Sequence, residues 1–393
     1  MIFAVKQSIS RVRKLLFCCG SRPELIKIFP VLQHLKTMPN ITTQLCNTGQ
    51  HKDILSQHLD TFNLVPDYQL DVMRKDQSLD QLMAQLFAQL PRVLDHANPD
   101  IVIIQGDTAS AMASAVIAAK KGIPLAHIEA GLRTHDISSP FPEEIYRKKI
   151  STLATWHFCP TDLARQNLLR ENIAPENIFV TGNTSVDMVL KTHAQLTCER
   201  GNSTAPRQEG ERPYFLITLH RRESQGAPLM IITSCLRDFA ISKPEFDFIF
   251  PLHPNPLSSQ MIKSQLGEQK NITLLPPVDY PQFVHLMANA FAIITDSGGI
   301  QEEAPALNIP VIVVRDMTER TEGLDSGCLR LAGTEKHTIL YELNLLIEDK
   351  AHYKRMQHAH NPFGDGHAAE KITAHLKEII EKNLCKNSPT PVS

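Results

Sequence analysis

Residues Ile101–Glu129 read IVIIQGDTASAMASAVIAAKKGIPLAHIE. Ile101–Ile104 is a continuous apolar run, Ala109–Lys121 is helix-length, and Leu125–Ile128 is a second apolar run. Neither run alternates with polar residues, as a strand with one wet face would; both read as parallel strands covered on both sides. Outward from this unit, apolar runs recur at Leu15–Cys19, Ile178–Thr181, Phe215–Thr218, Phe246–Leu252, Ile272–Leu275, Ala292–Thr295 and Val311–Val314. Helix-length stretches such as Glu24–Thr37 and Ser78–His96 lie between them. The expected class is α/β with doubly wound sheets. The most linker-like stretch is Cys198–Pro213, polar and rich in charge, Gly and Pro, with a strand-helix series on each side. Two domains follow, with ligands bound beyond the carboxyl ends of the strands.

The 393 residues carry 40 Lys+Arg against 42 Asp+Glu, a formal charge of −2 that argues against a nucleic-acid binder. No apolar run approaches the roughly 18 residues that span a bilayer as a helix, so a soluble globular protein without a membrane partner is expected. Eight scattered cysteines form no C-x-x-C pair and no zinc quartet, and read as reduced thiols with no metal site. The first 23 residues hold Lys6, Arg11, Arg13, Lys14 and Arg22 and no acid, but these charges interrupt any signal-peptide core. A cytoplasmic location with a short flexible N-terminal extension is expected; an organellar transit segment is the alternative. The NSPTPVS tail reads as disordered.

Four turns carry candidate chemistry. Gly20-Ser21-Arg22-Pro23-Glu24 follows the first strand, and its backbone N–H groups, with Arg22 and Lys27 nearby, suit an anion; an ordinary strand-helix turn is the plainer reading. Thr295-Asp296-Ser297-Gly298-Gly299 opens a helix bearing Glu302 and Glu303, a pattern suited to a nucleotide diphosphate, with a carboxylate for ribose hydroxyls; a glycine-rich cap is the alternative. Neither G-x-G-x-x-G nor a P-loop occurs in the chain. Asp107, Glu129 and Glu143-Glu144 cluster at strand ends and in the loops after them, a route to an acid/base set, with solvated carboxylates or helix caps as the alternative. His220-Arg221-Arg222-Glu223 suits phosphate charge and proton transfer, whereas His253 taken alone reads as structural.

In order along the chain stand G-S-R-P-E-x-I-K, T-G-Q-H, G-D-T, H-x-E-A-G-L-R-T, P-F-P-E-E, V-T-G-N-T, H-R-R-E, H-P-N-P, T-D-S-G-G-x-Q-E-E-A-P, R-D-x-T-E-R and N-P-F-G-D-G. This set resembles the non-hydrolysing UDP-N-acetylglucosamine 2-epimerase family over nearly the whole chain. The resemblance implies two Rossmann-like domains of the glycosyltransferase-B type with the active site in the cleft between them. They would span residues 1–184, with the last helix (367–393) returning to them, and residues 185–366. It further implies a homodimer, and reversible interconversion of UDP-GlcNAc and UDP-ManNAc by elimination and re-addition of UDP, without added redox cofactor or metal.

Carried over residue by residue, the resemblance gives an acid/base set of Asp107, Glu129, Glu143 and His220. It puts Arg22, Lys27, Ser297, Gly298, Gly299 and Arg320 on UDP, Glu303 on the ribose and Phe283 near the uracil. A second UDP-GlcNAc, acting as activator, would meet Gln50, Arg221 and His253, with Asp53 and Asp76 at variable neighbouring positions. Ser21, Tyr146, Pro254, Thr321 and Cys328 depart from the family pattern, and Tyr146 and Thr321, close to motif residues, leave room for altered sugar specificity. A glycosyltransferase, a hydrolysing epimerase and a non-catalytic UDP-sugar sensor are the rival readings.

Overall fold

A computed structural model describes residues 12–50, 55, 59–74, 77–138, 140–199, 212–219, 226–252 and 256–386. The chain divides into two compact units, Met1–Thr184 with His367–Ser393, and Ser185–Gly366. The division falls upstream of the polar stretch 198–213, because the helix Thr184–Glu199 belongs with the second unit.

The first unit is built on seven parallel strands: β1 (Arg13–Cys19), β2 (Ile41–Asn47), β3 (Tyr68–Gln69), β4 (Ile101–Gln105), β5 (Leu125–Ile128), β6 (Trp156–Cys159) and β7 (Ile178–Val180). Their order is β3-β2-β1-β4-β5-β6-β7, so the winding reverses between β1 and β4. The second unit holds β8 (Tyr214–Thr218), β9 (Asp247–Pro251), β10 (Ile272–Leu275), β11 (Ala292–Thr295), β12 (Val311–Val313) and β13 (Leu329–Leu331), also parallel. Their order β10-β9-β8-β11-β12-β13 puts the reversal between β8 and β11. At such reversals the loops diverge and leave room for a ligand. The doubly wound α/β class read from the sequence is the one observed.

Local chemistry explains the elements. Every residue of β4 is buried, as its unbroken apolar run requires. The helix Ala109–Lys120 is rich in Ala and Ser because it packs against both Leu79–Ala97 and Glu143–Leu153, and small side chains let helices approach. Leu79–Ala97 starts with a capping box, Ser78 and Gln81, buries Leu82, Leu86, Leu90, Val93 and Leu94, and ends at left-handed Asn98. The second unit is centred on stacked and edge-on phenylalanines, with Phe215 against Phe239, Phe246, Phe248 and Phe291. Strands β2, β3, β6 and β13 escaped the sequence reading. In β2 the polar Thr42, Thr43 and Gln44 interrupt the pattern, and in β6 the buried His157 does so, its ring bonded to the Ser151 carbonyl at 3.0 Å.

The last helix, Ala368–Lys386, packs on Arg22–Lys36, and the His375 ring meets Phe179 with centroids 4.4 Å apart. Beyond the carboxyl end of β1, three segments crowd together: a Cβ on Gly20 would stand 2.2 Å from both Ser110 Oγ and Thr48 Oγ1. Gly20→Ala is therefore expected to cost about 1–3 kcal/mol through displaced neighbours. The check is urea unfolding followed by the fluorescence of Trp156, which is the chain's one tryptophan and lies in this unit; an unchanged midpoint would show that the turn relaxes freely.

Candidate functional site

At the carboxyl edge of the first sheet, Glu24 is 1% exposed. It accepts hydrogen bonds from the N–H groups of Gly20 (3.0 Å) and Ser21 (2.8 Å) and from the Thr108 hydroxyl (2.7 Å). Two of the turn's backbone N–H groups, which the sequence offered to an external anion, are thus already donated to the chain's own carboxylate. Burial pushes Glu24 up to about 7, against the pull of its donors. Arg22 is exposed at the start of the helix. Lys27 is buried one turn further on, with Nζ 2.5 Å from Glu129 Oε1.

Glu129 leaves β5 with φ +65, a left-handed conformation that costs a non-glycine residue about 1 kcal/mol or more and concentrates at functional sites. Its Oε1 also accepts from Asn183 Nδ2 at 3.0 Å, and its Oε2 meets Gln105 Nε2. Asp107 is held beside it through the backbone. Gly106 (φ +69) donates its N–H to the Ile128 carbonyl at 3.0 Å, and its own carbonyl accepts from His127 Nε2 at 2.8 Å. A carbonyl can only accept, so the His127 proton is assigned to Nε2.

The Asp107 side chain is about a quarter exposed, and its Oδ2 accepts from Arg147 Nε at 2.7 Å. Arg147 Nη1 reaches the buried Glu144 at 3.1 Å, and Glu144 in turn accepts from the N–H groups of Thr134 and His135. Glu143 opens the helix Glu143–Leu153, and its Oε2 is buried without a hydrogen-bond partner among the described residues. Gln50 Oε1 accepts from the hydroxyl (2.8 Å) and N–H (3.3 Å) of Ser110.

In the second unit, the β8 and β11 ends are tied by a hydrogen bond of 2.6 Å between the hydroxyls of Thr218 and Thr295, and Thr295 Oγ1 also receives the Ser297 N–H at 2.9 Å. The helix Gly298–Ala306 starts there, and its first N–H groups have no intrahelical acceptor, so they and the helix dipole suit an anion. Gln301 fixes this turn, donating to the Ser297 carbonyl at 3.2 Å and accepting from Thr318 at 2.6 Å.

Arg320 is 4% exposed, with Nε 2.7 Å from Glu302 Oε1 and Nη1 on Glu319, whose other oxygen pairs with Arg315 at 3.2 Å. Glu302 also accepts from Ser185 at 3.2 Å. Glu303 is buried and Phe283 half-buried. His220, Arg221, His253, Asp53, Asp76 and Pro254 lie outside the described residues.

Of the residues read from sequence, the structure brings Lys27, Asp107 and Glu129 into one bonded edge, and Glu143 adjoins it through Glu144. In the second unit it brings Ser297, Gly298, Gly299 and Glu303 into one turn and helix. Sequence reading missed His127, Arg147, Asn183, Gln301 and Glu319 as parts of these networks, and named Glu24, Glu144 and Glu302 only within their motifs, without the partners they hold. Ser21-x-x-Glu24 is a capping-box pattern that could have singled out Glu24. The specificity reading of Tyr146 is corrected: this side chain belongs to the first unit's hydrophobic core, not to the sheet edge. Thr321 is exposed, and Cys328 is buried with Sγ 3.4 Å from the Gly323 carbonyl. Among the described residues, no group of three His, Cys, Asp or Glu side chains is placed to hold a metal. None of their helices is long and apolar enough to cross a membrane.

A family profile described as UDP-N-acetylglucosamine 2-epimerase matches residues 33–377. The chain is 42% identical over 369 residues to the protein of that name from Escherichia coli K12, covering 93% of this chain and 98% of that one. The crystal structure of UDP-GlcNAc 2-epimerase from Neisseria meningitidis bound to UDP-GlcNAc superposes with a TM-score of 0.88 at 38% identity, covering 93% of this chain and 100% of that one. The enzyme from Methanocaldococcus jannaschii in complex with UDP-GlcNAc and UDP gives 0.83 at 34% identity, covering 93% and 99%.

The buried edge has a signature in stability. Burial pushes His127 down to about 3 from an ordinary 6.5, so between these values the unfolded chain binds a proton that the folded chain refuses. Its contribution is fully present above pH 6.5 and is lost as the pH falls toward 3, by about 1.4 kcal/mol per pH unit. Glu24, raised to about 7 from 4.5, acts oppositely: its contribution is present below pH 4.5 and lost as the pH rises to 7. His127→Gln, which keeps a donor for Gly106, is expected to lose less stability than the wild type between pH 6 and 4. Urea titrations across that range check this, and parallel curves for the two proteins would sink it.

Proposed function

The chain belongs to the UDP-N-acetylglucosamine 2-epimerase family, and from that premise we propose that it interconverts UDP-N-acetylglucosamine and UDP-N-acetylmannosamine by eliminating UDP and adding it back. The observation that carries this reading is the sheet edge that presents Glu129 on Lys27 and Asp107 on Arg147, with Glu143 starting the helix that supplies Arg147. The sugar C2 proton is not adjacent to a carbonyl carbon, so simple enolisation is unavailable. A base takes that proton, the C1–O bond breaks with its electron pair leaving on the UDP oxygen, and a C1=C2 double bond forms. Re-addition reverses these steps, with the proton delivered to the opposite face of C2. The oxidation state is the same at both ends, so the chemistry calls for no redox cofactor.

In this reading Asp107, Glu129, Glu143 and His220 form the acid/base set. Arg22, Lys27, Ser297, Gly298, Gly299 and Arg320 serve UDP, Glu303 the ribose and Phe283 the uracil. The Gly298–Ala306 helix start supports the diphosphate assignment through its N–H groups. Lys27 and Arg320 each hold carboxylates, so their role includes orienting Glu129 and Glu302. A homodimer, a cytoplasmic location and a second UDP-GlcNAc as activator at Gln50, Arg221 and His253 complete the proposal.

Proton NMR with UDP-GlcNAc in D2O and no added cofactor is expected to show UDP-ManNAc with deuterium at C2. Free ManNAc plus UDP as main product would replace the proposal with a hydrolysing epimerase, and unchanged substrate would point to a transferase or sensor. Asp107→Asn, Glu129→Gln and Glu143→Gln are each expected to lower kcat by about 10²–10⁴ while leaving the far-UV circular dichroism unchanged.

A further inference from the structure

We propose that Glu24 is a positioning residue for Asp107, acting through the Thr108 hydroxyl; this rests on the functional reading above. Glu24 brings a carboxylate into a site that is 1% exposed, and among the described residues it is paired with no cation. A buried carboxylate without a counter-charge is expensive, even with three donors. Helix capping alone does not call for it: in the same unit the neutral Gln81 makes the equivalent bond to the Ser78 N–H at 3.0 Å.

What Glu24 adds is the bond of 2.7 Å to Thr108, across 84 residues of chain. Thr108 follows Asp107 directly and caps the helix Ala109–Lys120 by accepting the Ala111 N–H at 3.0 Å. Asp107 is therefore gripped on both sides. Gly106 hangs on β5 through Ile128 and His127, and Thr108 is pinned to the β1 turn through Glu24. Arg147 then fixes the side chain between them. Releasing one grip leaves the carboxylate in place but free to drift, and misplacement by about 1 Å costs on the order of 10² in rate.

The test is a cycle of Glu24→Gln, Thr108→Val, the double variant and Thr108→Ser, assayed as purified full-length protein with UDP-GlcNAc. Glu24→Gln still accepts from Gly20 and Ser21 but offers Thr108 a donor where it had an acceptor. A fall in kcat of about tenfold with KM within about twofold is expected for it, and a larger fall for Thr108→Val. The double variant should be no worse than Thr108→Val, because both changes act on one linkage, Glu24→Gln by turning the bond round and Thr108→Val by removing it. Thr108→Ser, which keeps the hydroxyl, should restore kcat.

Independent effects that multiply, a loss confined to KM, or lowered thermal stability with unchanged kcat would overturn the proposal. If Thr108→Val does not fold, Glu24→Gln against Thr108→Ser decides on the same kcat criterion. A wild type inert on UDP-GlcNAc would instead refute the functional reading, and amide exchange would then decide whether the brace exists. The Gly106 amide should exchange faster in Glu24→Gln and as in the wild type in Thr108→Ser; equal rates in all three would overturn the brace.

Discussion

A parallel sheet covered by helices on both faces has no dry place for polar chemistry except the ends of its strands. That constraint organises both units. In the first, Gly20, Thr48, Asp107 and Glu129 follow the carboxyl ends of four strands, held by backbone ties such as Thr48 to Cys19 and Gly106 to Ile128 and by side chains of the same edge, Glu24 on Gly20, Arg147 on Asp107 and Lys27 on Glu129. In the second, Ser297 follows β11 and is tied back through Thr295 to Thr218 at the end of β8. The interior supplies rigidity and the strand ends supply the reagents. Positive φ at Gly106 and Glu129 marks the two places where the chain turns sharply to present a carboxylate.

Charge is handled differently on the two edges. The first edge carries several carboxylates and shares two cations among three of them: Lys27 on Glu129, and Arg147 on both Asp107 and Glu144. A carboxylate held by such a cation stays aimed in one direction. The second unit instead buries a chain of alternating charge, Arg315, Glu319, Arg320 and Glu302, with Ser185 at its end. Removing one member of such a buried chain leaves an uncompensated charge, a loss of about 3–5 kcal/mol. The loop through Arg320 and the helix through Glu302 are therefore locked to one another.

What the sequence disclosed, and what it hid, follows from range. Strands β4, β5 and β11 were legible because burial on both faces leaves an unbroken apolar run. Asp107 and Glu129 were legible because they stand directly after such runs. Strand β2 was hidden by its partly exposed polar half, and β6 by His157, whose burial depends on a carbonyl partner that no pattern announces. Arg147 and Glu24 were hidden for another reason: their partners lie 40 and 84 residues away, and only the packed sheet brings them together. Tyr146 was misread because chain neighbours on a helix point about 100° apart, so adjacency to Arg147 placed it in the core instead of the edge.

The return of the helix Ala368–Lys386 to the first unit has a consequence for biosynthesis. Translation delivers the seven strands of that unit long before it delivers the helix that covers Arg22–Lys36 and meets Phe179. Throughout synthesis of the second unit, the nascent first unit waits with an apolar face uncovered. Its completion waits for that helix, so a ribosome stalled before residue 368 would hold a first unit whose Arg22–Lys36 face is still open to chaperones.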